Sequence, residues 1–212
     1  MTVYSLELSF TAEQLKVLFA ADAKVAIAKP LKDDLPSLRW VTFQPFEHNL
    51  VEWEEQYGIY ASLAGVSGGG GVTQECKSEF PAGAGRLYAL QSQGCFGPPS
   101  TEEGLDPASY YAANSFAGVP AMTLGLFQNA QVNGGERLAS PVSAELTPYA
   151  FRARMTPDST VYVWTQSGGD GASGISQVTS PPTRVAFADG ATSKALAFDS
   201  STATFVPPAA VG

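Results

Sequence analysis

The sequence predicts a mainly β protein: a single-domain antiparallel β-sandwich of two sheets with one short N-terminal helix. Three observations lead there. Charged residues make up only 15% of the 212 positions, while glycine (21) and proline (15) are plentiful, the composition of strands joined by turns. Short apolar runs recur along the chain between turn clusters such as Gly97-Pro-Pro-Ser100, Asn133-Gly-Gly135 and Thr156-Pro-Asp-Ser159, a spacing typical of sandwiches and barrels. Only residues 12–21 carry a helical period, and no internal repeat or interdomain linker divides residues 1–212.

Residues 4–10, YSLELSF, alternate strictly between apolar and polar, which makes a half-buried strand. Thr11 then stands as a helix N-cap with Gln14 at the third helical position, a capping box. Leu15, Leu18 and Phe19 fall on one face of the helix that follows. A second strand spans 24–29 and is ended by Pro30. Strand candidates follow at 38–43, 50–63, 72–80, 86–95, 122–131, 144–155, 160–166, 183–188, 194–198 and 202–206. Residues 101–118 read as a longer irregular connection with room for a short helix. The tail is expected to fray from about residue 207, at Pro207-Pro208.

Composition also excludes functions. The net charge is −8 with only 12 Lys and Arg, scattered along the chain, whereas a phosphate backbone requires clustered cations. Nucleic acid is therefore not expected as a partner. No apolar run approaches the roughly 20 residues of a membrane span, and the N-terminus lacks a basic region followed by an apolar core. The expectation is a cytoplasmic protein, released if at all by lysis or without a leader. The glycine-rich stretches 68–71 and 168–171 lack the Lys-Ser/Thr of a phosphate loop and read as loop tips. Asp170 with Asp158 or Asp189 has no spaced acidic motif for calcium.

Chemistry concentrates in residues 38–60, LRWVTFQPFEHNLVEWEEQYGIY, which hold two of the three tryptophans and the only histidine, His48. Extended alternation puts Val51, Trp53, Glu55, Tyr57, Ile59 and Ala61 on one face, a core-facing row with a single carboxylate. His48 is expected in a turn. One reading is plain core packing. The other is a pocket in which Trp40, Trp53 and Tyr57 stack on a planar ligand while Glu55 and His48 orient its polar edge, as aromatic walls with a few polar groups do in small-molecule sites. A lone histidine has no adjacent nucleophile here, so catalysis is not expected. Cys76 and Cys95 are the only thiols, either free or joined in a disulfide that closes a loop of roughly 20 residues.

The runs WVTFQPFEHNLVEWEEQYGIYAS (40–62) and TPDSTVYVW (156–164) resemble small β-rich proteins of fungal fruiting bodies, of the mushroom pink chromoprotein type. That resemblance implies a non-enzymatic protein holding a bound aromatic pigment. Two other classes compete with it. A lectin-like defence protein would bind glycans through Tyr110, Tyr111 and Asn114, and a pore-forming toxin would use the amphipathic residues 11–21.

Overall fold

A computed structural model describes residues 2–32, 35–63, 71–91, 94–167, 175, 180–188 and 190–209. Among the described residues the fold is mainly β with one short N-terminal helix, as the sequence predicts. Strand β1 (Val3–Ser9) leads into helix α1 (Ala12–Ala20), whose Thr11 and Gln14 form the reciprocal capping box. Leu15 and Leu18 are buried, whereas Val17 and Phe19 are exposed.

The strands that follow are β2 (Ala23–Ala28), β3 (Val41–Phe43), β4 (His48–Ser62), β5 (Cys76–Lys77), β6 (Leu87–Leu90), β7 (Tyr110–Asn114) and β8 (Ala121–Val132). After them come β9 (Leu138–Pro141), β10 (Glu145–Pro148), β11 (Arg152–Met155), β12 (Thr160–Ser167), β13 (Thr183–Ala186), β14 (Ser193–Asp199) and β15 (Thr204–Val206). They form three sheets rather than the two expected. The largest runs β10-β8-β4-β1-β14-β15, with β5 added to β4 and β9 to β8. A four-stranded sheet runs β13-β12-β2-β3 and a three-stranded one β11-β7-β6.

Pairing is antiparallel except for β1 with β14 and β6 with β7, which are parallel. Parallel neighbours cannot be joined by a hairpin and are brought together by long connections. Periodicity within one strand carries no information about that choice. The inner faces of all three sheets supply one hydrophobic cluster, including Leu6, Ile27, Val51, Ile59, Ala112, Leu126, Met155 and Val163.

Four expected elements differ. Among the described residues, 72–80 pair as a strand only at Cys76–Lys77, and 86–95 only at Leu87–Leu90. Residues 144–155 divide into β10 and β11 around Tyr149 and Ala150, the latter at a φ of 67°. Residues 110–114, expected in an irregular connection, are the middle strand of the three-stranded sheet. Tyr110, Tyr111, Ala112 and Asn114 are all buried, so the strand shows no alternation to read. The glycine tips 68–70 and 168–171, with Asp170 and Asp189, lie outside the described residues.

Close approach of β4, β8 and the segment after β9 requires Gly125. A Cβ there would collide with the Ser143 carbonyl oxygen and the Tyr60 ring. Replacing Gly125→Ala is expected to lower stability by about 3 kcal/mol, read as a reduced urea midpoint with an unchanged m-value.

Candidate functional site

Strand β4 builds the candidate site through an irregularity in its pairing. Trp53 lies opposite Ala130 of β8 and Tyr57 opposite Gln128, so Glu54, Glu55 and Gln56 together face Asn129 alone. Such a bulge re-aims side chains while keeping the strand in its sheet. Trp53 and Tyr57 both remain buried, and Glu55 between them reaches inward with 28% of its side chain still exposed.

Glu55 meets a residue absent from the expected site. Lys29, directly after β2, is buried at 3% exposure. Its Nζ lies 2.9 Å from Glu55 Oε1. Trp53 Nε1 donates to the same oxygen at 3.2 Å, and the Tyr57 hydroxyl donates to Oε2 at 2.6 Å. The Lys29 ammonium also sits 5.4 Å from the ring centroids of Trp40, Trp53 and Tyr57. The three rings therefore surround an internal cation.

Backbone pairing sets this geometry. Trp40 is brought beside β2 by its N–H, which donates to the Ile27 carbonyl at 2.7 Å. Its indole N–H donates to the Gln128 carbonyl at 3.2 Å. Trp40 and Trp53 meet edge-to-face at 5.5 Å, with Tyr4 stacked and Phe187 edge-on against Trp53. A buried ammonium without a partner would cost several kcal/mol. Here a carboxylate and three ring faces, each worth up to about 2 kcal/mol when desolvated, offset that cost.

The electrostatics follow from burial. Desolvation pushes the Lys29 ammonium below the ordinary lysine value, and Glu55 pulls against that shift. Burial raises the Tyr57 phenol well above its ordinary value, and the Glu55 charge and hydrogen bond raise it further. Burial also raises Tyr60, Tyr88 and Tyr110.

The expected site residues thus divide. Trp40, Trp53, Glu55 and Tyr57 come together, whereas His48 does not join them. His48 is the exposed first residue of β4 rather than a turn residue, and lies opposite Ser9 of β1. Seven residues of extended chain separate it from Glu55, roughly 20 Å. It borders a separate cleft of about 460 Å³ with Glu7, Ser9 and Asn133. Cys76 and Cys95 are free, the first buried and the second exposed. The tyrosines named for glycan contact are buried in β7, where Asn114 Nδ2 donates to the Thr147 carbonyl at 3.0 Å.

A second aromatic group lies outside the main cluster. Along β12, Val161 and Val163 face the shared core. Trp164 points to the other side and packs on Ala26 and Ala28 of β2, with Tyr162 and Ile175 against it. Above this alanine floor is a cleft of about 260 Å³ lined by Leu35, Pro36, Tyr162, Trp164, Ile175 and Pro182. Its rim is tied by Ile175 N–H donating to the Ser37 carbonyl at 3.3 Å. On the far side of Leu35 and Pro36 a polar cleft of about 300 Å³ includes Lys29, Ser37, Ser143 and Glu145.

Among the described residues, no group of three or more His, Cys, Asp and Glu is placed to hold a metal ion. No described helix is long and apolar enough to cross a membrane. No protein-family model, curated protein or solved structure matches the chain.

The Lys29–Glu55 pair gives two expected outcomes. Glu55→Gln leaves the ammonium buried without its counter-charge and is expected to cost about 3 kcal/mol. Adding Lys29→Met should recover most of that loss in denaturant titrations. The raised phenols also fix a pH dependence. A raised folded value gives stability that is complete below the unfolded value, about pH 10, and is lost as pH rises through the folded value. Lys29, being lowered, acts in the opposite sense, one group against four phenols and the Cys76 thiol. Stability is expected to fall above about pH 10, and absorbance at about 295 nm should show tyrosines that ionise only as the β circular dichroism is lost.

Proposed function

We propose that this protein is a non-enzymatic binder of a small planar apolar molecule, of pigment type, held on the outer face of the four-stranded sheet. The observation that carries this reading is the apolar cleft over Tyr162 and Trp164. Exposed Leu35 and the ring of Pro36 separate that cleft from the polar one. A ligand across this ridge would lay its apolar body on Tyr162 and Leu35, with buried Trp164 closing the cleft beneath, and direct a polar group toward Ser37, Ser143 and Glu145. Aromatic walls with a few polar groups at one end suit such a molecule.

The cage formed by Trp40, Trp53 and Tyr57 has another role in this reading. Its ring faces are occupied by Lys29, so it supports the polar cleft from behind. The ligand then lies on different aromatic residues from Trp40, Trp53 and Tyr57. It retains the ligand class and the absence of a catalytic step, and it assigns the work to the cell interior.

The visible spectrum and intact mass of protein from its native source test the function directly, with absorbance above about 350 nm expected from an extended aromatic ligand. For recombinant protein, the probe is 1-anilinonaphthalene-8-sulfonate followed by its fluorescence. Trp164→Ala and Tyr162→Ala are each expected to weaken its binding roughly tenfold, whereas Trp40→Phe should leave it unchanged. Equal binding by all three variants would overturn the placement. Colourless native protein with no bound mass would overturn the function.

A further inference from the structure

The cysteines lie on opposite sides of a seam between two sheets. Cys76 belongs to β5, which pairs with Ala61 at the end of β4 in the large sheet. Cys95 follows β6, the edge strand of the three-stranded sheet. A tight return holds it there: Gln91 N–H donates to the Cys95 carbonyl and Gly94 N–H to the Gln91 carbonyl, both at 2.9 Å. Phe96 bridges back to Leu90 and packs on the same core cluster as Cys76. The Phe96 backbone and the Cys95 side chain both lie within range to act on the Cys76 thiol. Nothing lies near the Cβ position of Gly94, which adopts a φ of 72°, leaving space for the return to adjust.

We propose that Cys76 and Cys95 form a reversible dithiol–disulfide site, oxidised by a small disulfide such as oxidised glutathione that enters through Cys95. Access separates the two roles. Cys95 is exposed and Cys76 is 8% exposed, so the small disulfide meets Cys95 first. Burial raises the Cys76 thiol, which favours its retention as the protonated resolving partner.

In the first step the Cys95 thiolate attacks one glutathione sulfur, forming a mixed disulfide and releasing a glutathione thiolate. In the second the Cys76 thiolate attacks the Cys95 sulfur, closing the protein disulfide and releasing the second glutathione thiolate. The two thiol protons pass to the released glutathiones. One glutathione disulfide is reduced to two thiols, and two protein thiols are oxidised to one disulfide. The product sews the three-stranded sheet to the large sheet and closes a short loop, which restricts the unfolded chain.

The full chain is incubated with oxidised glutathione, quenched with N-ethylmaleimide, unfolded and weighed intact. The expected product has lost the mass of two hydrogens, takes up no maleimide, and unfolds about 5–10 °C higher. Cys76→Ser is expected to stop at a glutathione adduct on Cys95. Cys95→Ser is expected to remain unmodified while folded. Wild-type protein that keeps both thiols, stops at a stable adduct or links to a second chain would overturn the proposal. A Cys95→Ser variant that acquires glutathione on Cys76 would overturn entry through Cys95.

Discussion

The inner face of the large sheet is organised around one buried positive charge. Lys29 follows a strand whose residues are almost all buried, and its own side chain is all but withdrawn from water. Its position therefore dictates its neighbours: a carboxylate within contact distance and ring faces on the remaining sides. Glu55 provides the carboxylate because the bulge in β4 places it between Trp53 and Tyr57 without displacing either from the core. Trp53 and Tyr57 in turn give hydrogen bonds to both Glu55 oxygens. Cation, carboxylate and aromatic rings form one unit that joins the four-stranded and eight-stranded sheets.

Much of this arrangement was legible in the sequence, but unevenly. Alternation in β1, the Thr11–Gln14 capping box and the inward row from Val51 to Ala61 are local properties, and local periodicity displays them. The row even marked Glu55 as the single inward carboxylate. Lys29 was not legible because a lysine before a proline reads as the solvated end of a strand. The bulge was not legible because it is a relation between β4 and β8, visible only once the partners are known. Strand β7 is hidden for the opposite reason: burial on both faces erases the alternation that would reveal it. The sequence grouped His48 with Trp53 because they are near neighbours along the chain. An extended strand makes five residues a long distance.

The two aromatic groups differ in what their surroundings permit. Around Trp53 every ring face has a partner: Tyr4 stacked, Trp40 and Phe187 edge-on, Lys29 beside it. Around Trp164 the floor is alanine, Ala26 and Ala28, and the nearby apolar residues come from connections rather than strands. Small residues lie beneath Trp164 beside an apolar cleft, whereas the rings around Trp53 interlock with one another. The same residue type thus serves as a strut in one place and as a cleft wall in another.

Strand β1 lies between β4 and β14, with Ser5 opposite Glu52 on one side and Ser193 on the other. The β4 side can be paired while synthesis continues. The β14 side stays unpaired until residues 193–199 have been made. An open strand edge is a template for association with other chains, and such long-range pairing is intrinsically slow. Strand β1 is therefore enclosed by a strand made long after it, and its open edge is a point of exposure throughout that interval.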